Sequence, residues 1–266
     1  MLIGSLAFVT CKKKSDDVQI ATSCTDINLF SISEDIALGA QVDSQIRYSG
    51  QYQVLDSSTH VAAYQFLYAM RDSIFAKADI PHENDFKWRI AIIKEDSTLN
   101  AFCTPGGYIF VYTGIIKYLD SEDDLAGVLG HEMGHAALRH STDAIIKEQG
   151  LSVLLSILGG NSSKLEQIAA QLALLKYSRC HETQADEFSV VALKDSRFKC
   201  DGAASFFKKL LATGSGSSTP VFLSDHPGDA DREQNIESRA VALGCDKKVI
   251  QHPTTTTEWT NFQSFF

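Results

Sequence analysis

The segment His131-Glu132-Met133-Gly134-His135 sets two imidazoles four residues apart, with a carboxylate between them. On a helix, residues i and i+4 share a face, one turn apart. Two imidazoles so placed can both reach one Zn²⁺ at about 2.0–2.1 Å. Glu132 points elsewhere and is free to act as a base on a water at the metal. The bland alternative is a surface helix with two solvated histidines. Gly127, Gly130 and Gly134 count against it. Each glycine costs about 1 kcal/mol relative to alanine in a helix interior. A solvated helix has no reason to carry three; a helix pressed against another element around a metal does.

A catalytic zinc takes three protein ligands and keeps one position open. The third ligand is expected on a separate helix downstream. Glu182 and Asp186 are four apart, hence on one face. Glu182 can complete a His-His-Glu set, and Asp186 can accept a hydrogen bond from the free ring nitrogen of a zinc histidine and fix its tautomer. His181 and Glu187 are rivals without the same partner geometry, and a Glu-x-x-x-Asp pair is commonly a solvated acidic face. His140 reads as an ordinary polar helix end rather than a ligand. His226 and Arg232 follow a flexible loop, and by local pattern alone they are a helix start with a surface arginine.

The motif belongs to a helix spanning residues 121–140, whose Ser121 and Asp124 resemble a capping box. Before it, helices are expected within 26–49 and over 56–79. Strands follow at 86–94 and 108–112, with 99–102 short and extended. The Pro105-Gly106-Gly107 turn makes a hairpin. Residues 114–118 form a short helix leading into the motif. After it come helices over 142–158, 164–176, 179–194, 202–212 and 227–243, the last opened by Pro227. Helices dominate beside one small antiparallel or mixed sheet, so the fold class is α+β.

The chain has 266 residues, 44% of them hydrophobic, enough for a sizeable single core. A net charge of −9 leaves no basic surplus for nucleic acid. Residues 1–10 are uncharged and mostly apolar, too short to span a bilayer but suited to the core of a secretory signal. Cys11 at the end of that run looks like a bacterial lipoprotein cleavage site, although no basic residue precedes it. On this reading Cys11 is lipidated, the protein is anchored to a membrane of the cell envelope, and the stretch to about Thr25 is a tether. Export permits disulfides. Cys200 and Cys245 are the pair expected first. Cys103 and Cys180 lie beside proposed site residues, where oxidation would inhibit. No C-x-x-C spacing supports a four-cysteine zinc site.

The ordered set Asn100-Ala101-Phe102 with Pro105-Gly106-Gly107, Thr113-Gly114, His131 to His135 with Leu138 to Ser141, Glu182 with Ala185-Asp186, and His226-Pro227 with Arg232 covers about half of the chain. It resembles the gluzincin zinc metallopeptidase family that includes HtpX, the CAAX prenyl proteases and the soluble periplasmic BepA-like proteins. The resemblance implies a zincin-like fold with one Zn²⁺ on His131, His135 and Glu182, and Glu132 as the catalytic acid and base. It also implies that His226 and Arg232 face the metal as transition-state or gating groups. The Asn100-Ala101-Phe102 edge would bind substrate backbone by strand addition. With no spanning run after the N-terminus, the likeness is to the soluble exported branch. No helical repeats follow Arg232, so no partner-docking module of that kind is expected. The domains are then a signal and tether at 1–25, a metallopeptidase domain at 26–250 and a loose tail at 251–266. The function expected is a metalloendopeptidase acting on unfolded or misassembled envelope proteins. A client-holding, latent lipoprotein and a non-peptidase metal hydrolase are the alternatives.

Overall fold

The apolar residues of the central strands alternate between two faces, and both faces are covered. The structure, a computed structural model, describes residues 20–27, 29–213, 221–226, 231–250 and 254–266. Cys11, the loop at 214–220 and Pro227 lie outside the described residues.

Strands β1 (Arg89–Ile93), β2 (Ala101–Thr104) and β3 (Tyr108–Tyr112) form one sheet in the order β1-β3-β2. β1 runs parallel to β3, and β2 runs antiparallel to it, with Phe102 opposite Phe110. The sheet is therefore mixed, and the expected hairpin is β2–β3. Gly106 and Gly107 take φ of 76° and 80° in its turn, a region that favours glycine.

Helices α1 (Ile32–Tyr48) and α2 (Val61–Phe75) precede the sheet. After it come α3 (Thr113–Tyr118), α4 (Glu122–Ala137), α5 (His140–Gln149), α6 (Leu151–Leu158), α7 (Ser162–Leu172) and α8 (Arg179–Leu193). The chain continues through α9 (Gly202–Thr213), α10 (Val221–Asp225), α11 (Arg232–Ala242) and α12 (Thr256–Gln263). Ile90, Ile92, Ile109 and Val111 pack with α2, α4, α8 and α9. Ala91, Ile93, Phe102 and Phe110 face the other way, onto α1 and α5 to α7. Burial on both faces explains why the strands read as nearly continuous apolar runs.

Several boundaries differ from the sequence expectation. The motif helix ends at Ala137, because Arg139 adopts a left-handed φ of 62° and His140 starts a new helix. Arg139 is held there by Asp35 and the carbonyl of Phe30. The apolar run at 142–158 is cut in two at Gly150, where φ is 84°. The C-terminal stretch is not loose: α12 buries Trp259 and Phe262, and the Trp259 indole donates to the Leu119 carbonyl at 3.2 Å. The expected tether is also shorter than residue 25. From Ile20 onward the chain lies along α8, joined to it by a Cys24–Cys180 disulfide.

Candidate active site

α4 delivers the motif and α8 delivers the opposing carboxylates. Ser121 caps α4 reciprocally with Asp124, as the sequence suggested. The glycines then set how closely the neighbouring helices approach. A Cβ on Gly127 would lie 2.1 Å from the Ala203 nitrogen of α9, and one on Gly134 would lie 3.0 Å from Phe188 Cβ of α8. They serve helix contact rather than the metal directly, although the α4–α8 contact fixes how far the two histidines stand from Glu182.

His131, His135, Glu182 and His226 each turn one donor atom toward a common point, all within 4.8 Å of one another. His131 Nε2 and His135 Nε2 are 3.0 Å apart. Glu182 lies 3.4 Å from His131 and 3.5 Å from His135. His226 Nδ1 is 3.3 Å from His131 Nε2 and 3.2 Å from Glu182 Oε1. Four tetrahedral ligands at about 2.0–2.1 Å stand about 3.3 Å from one another, so these separations suit zinc. All four side chains are buried, and Glu182 Oε2 makes no hydrogen bond among the described residues, although Arg232 Nη1 lies 3.1 Å from it. Burial opposes charge on His131, yet Asp186 and Glu182 raise its pKa to about 9. A cation at Nε2 beside Glu182 would answer the same demand as a proton there. Burial, then His131, push His135 well below its ordinary value, so it stands neutral as a ligand must.

Glu132 is fully buried beside this group, with both carboxylate oxygens unpartnered among the described residues and His226 Nε2 3.4 Å from Oε1. Burial raises its pKa. Asp186 Oδ1 lies 2.9 Å from His131 Nδ1. Burial also opposes its charge, but the Arg232 guanidinium outweighs that and holds Asp186 below the usual range.

A profile of peptidase family M48 matches residues 65–240, about two thirds of the chain and all of these groups. The chain belongs to peptidase family M48. M48 enzymes are zinc metalloproteases, in keeping with the donor set. Among M48 relatives, the mitochondrial metalloendopeptidase OMA1 of Schizosaccharomyces pombe is 32% identical over 159 residues, 58% of this chain and 47% of that protein. Metalloprotease YcaL of Escherichia coli is 31% identical over 198 residues, 70% of this chain and 75% of the relative. Metalloprotease LoiP of the same organism is 29% identical over 202 residues, 72% and 78% respectively. The chain thus spans about half the length of the first of these and about three quarters of the other two.

Arg232 is buried rather than the surface residue its local pattern reads as. Its Nε and Nη2 donate to Asp186 at 2.8 and 2.6 Å, and its Nη1 donates to the His226 carbonyl and lies 3.1 Å from Glu182. It braces the carboxylates. The Asn100-Ala101-Phe102 edge is the outer strand of the sheet, but it is not open. The amide of Phe222 donates to the Leu99 carbonyl at 3.1 Å, and His226 Nε2 lies 3.4 Å from the Ala101 carbonyl. Asn100 Nδ2 donates to Asp225, and Phe102 stacks on Phe110 in the core. Strand addition there requires α10 to leave.

The rival ligands are engaged elsewhere: His181 pairs with Asp26 at 2.9 Å, and Glu187 accepts from Ala21 and Thr22. Cys180 is in the disulfide, and Cys103 is a buried free thiol whose pKa burial pushes far up, so neither is a ready target for oxidation. His140 is no ordinary helix end. It is buried, with Nδ1 2.9 Å from His135 Nδ1. Sequence reading also missed Tyr177, whose ring stacks on His135 at 3.8 Å. No local pattern marks it.

Proposed function

We propose that the protein is a zinc metalloendopeptidase with His131, His135 and Glu182 as metal ligands and Glu132 as acid and base. The convergence of these ligands, with a buried Glu132 carboxylate beside them that makes no hydrogen bond among the described residues, carries the proposal. Zinc bound there would polarise the scissile carbonyl and acidify a nearby water. Glu132 takes the proton of that water and hands it to the leaving amine, a task its raised pKa suits. Asp186 orients His131, and Arg232 holds Asp186 and Glu182 in register.

His226 serves as a gate in this proposal. It stands as a fourth donor, where a catalytic zinc keeps an open position. The resting enzyme is therefore closed, and α10 must move before substrate backbone meets β2. The substrates proposed are extended segments of unfolded or misassembled envelope proteins. The apolar N-terminal run ending at Cys11 and two disulfides, Cys24–Cys180 and Cys200–Cys245, support export and lipid anchoring at Cys11. No described helix is long and apolar enough to cross a membrane.

Purified protein should hold about one zinc per chain and degrade casein, while Glu132→Gln keeps zinc and loses activity. Equal hydrolysis by Glu132→Gln would refute the proposed mechanism. Mass spectrometry of the membrane fraction should find Cys11 as the acylated first residue; an unmodified chain beginning at Met1 would exclude the anchor.

A further inference from the structure

His140 would not meet His135 on a continuous helix, since five residues turn it about 140° away. The left-handed Arg139 breaks the helix and returns His140 beneath its neighbour, Nδ1 to Nδ1 at 2.9 Å. The other ring nitrogen, Nε2, lies 2.9 Å from Gln184 Oε1, and Gln184 Nε2 donates to the backbone carbonyl of Thr22 at 3.2 Å. A carbonyl only accepts, so Thr22 obliges Gln184 to present its NH₂ outward and its oxygen to His140. His140 Nε2 must then carry the hydrogen. Neutral His140 accepts at Nδ1, so the hydrogen between the two rings belongs to His135 Nδ1. His135 is left with its Nε2 lone pair facing the proposed metal position. The Thr22 segment is firmly placed: Ala21 and Thr22 donate to Glu187, Cys24 is bonded to Cys180, and Asp26 pairs with His181.

We infer that His140 and Gln184 are positioning residues, and that the strap of residues 20–27 sets the tautomer of His135 through them. The inference rests on His135 being a metal ligand. If the strap is lost, Gln184 is free to turn over and donate to His140 Nε2. The hydrogen of His140 then sits on Nδ1 and is donated to His135 Nδ1. That moves the hydrogen of His135 onto Nε2, the nitrogen that must ligate. No proton is gained or lost; the polarity of the hydrogen-bond chain reverses.

Zinc affinity by chelator competition and histidine ring tautomers by nitrogen NMR of the metal-free protein test this. Gln184→Leu should weaken zinc about 10–100-fold, the usual effect of removing a ligand's hydrogen-bond partner. Gln184→Glu supplies an acceptor that cannot turn into a donor, at the cost of the bond to the Thr22 carbonyl, so it should weaken zinc less than Gln184→Leu. Cys24→Ser/Cys180→Ser should weaken zinc in the wild-type background but not in Gln184→Glu, and should raise the Nε2–H form of His135. Wild-type affinity and an unchanged tautomer in Gln184→Leu would overturn the inference. So would an equal loss from the cysteine changes in both backgrounds, which decides the matter even if Gln184→Leu does not fold. Wild-type protein that binds no zinc, or binds it equally well as His135→Ala, would instead remove the ligand assignment itself.

Discussion

Replacing Gly134 with alanine separates two effects that ordinarily run together. Alanine is the better helix former by about 1 kcal/mol. Its methyl would lie 3.0 Å from Phe188 Cβ, 3.1 Å from Phe188 Cγ and 3.2 Å from Ala185 Cα. Carbon atoms prefer about 3.5–4.0 Å, so α8 must recede by roughly 0.3–1 Å, because these atoms ride on its backbone. Such overpacking costs about 1–3 kcal/mol, leaving a net loss of about 0–2 kcal/mol. For a chain of this size that lowers Tm by at most roughly 8 °C. The effect on the site is larger. Glu182 lies one turn before Ala185 on α8 and recedes with it, whereas metal–ligand distances tolerate only about 0.2 Å. A misplacement approaching 1 Å costs on the order of 100-fold in activity. Melting curves of metal-free protein, zinc affinity and casein hydrolysis measured on one preparation give the answer. A variant that gains about 1 kcal/mol of stability and keeps wild-type zinc affinity and rate would refute the idea that Gly134 sets the α4–α8 spacing.

His226→Ala should raise hydrolysis of extended peptides while making zinc easier to chelate; a fall in rate at full zinc occupancy would make His226 a transition-state donor instead. Burial raises the Glu132 carboxyl, so in metal-free protein it should stay protonated to a higher pH than an ordinary glutamate and lose its proton above that. Carboxyl titration of metal-free protein followed by carbon NMR checks this, and a value at the ordinary glutamate pKa of about 4.3 would contradict the burial effect. Breaking Cys200–Cys245 with serines should cost up to about 4 kcal/mol, the loop entropy expected for a separation of this length, and chemical denaturation would show it. Truncating Trp259 to alanine should cost about 3–5 kcal/mol, as for a packed core tryptophan, and equal stability would show that α12 is an ornament of the fold.

Local chemistry was the legible part of the sequence. The motif spacing, the Ser121–Asp124 cap, the Pro105-Gly106-Gly107 turn and the second helix with Glu182 and Asp186 depend on residues within a turn or two of one another. The parts that escaped depend on single long-range contacts. Arg139 takes a left-handed backbone only because Asp35 and Phe30, about a hundred residues earlier, hold its guanidinium, and that break decides what His140 does. Cys24 is paired across 156 residues, a partner no spacing rule selects. The terminal Thr-rich stretch has weak patterning, yet Phe262 finds Phe66 at 4.0 Å and is ordered by it. The cover of β2 by Phe222 and His226 depends on a turn of helix too short to announce itself.

If substrate adds to β2 as proposed, the cover over that edge makes α10 an internal competitor. It holds the Leu99 acceptor and crowds the Ala101 carbonyl, groups that an incoming strand would need. A rival held in the same chain competes without having to diffuse in. Apparent affinity for any peptide is then reduced by the fraction of molecules in which α10 has let go. Short fragments, with few hydrogen bonds to offer, lose that contest. A long unstructured segment that can continue pairing past the catalytic centre wins it. On the proposed reading, selection for unfolded clients needs no sequence-reading pocket, only a contest between the α10 helix and an incoming strand for the same edge.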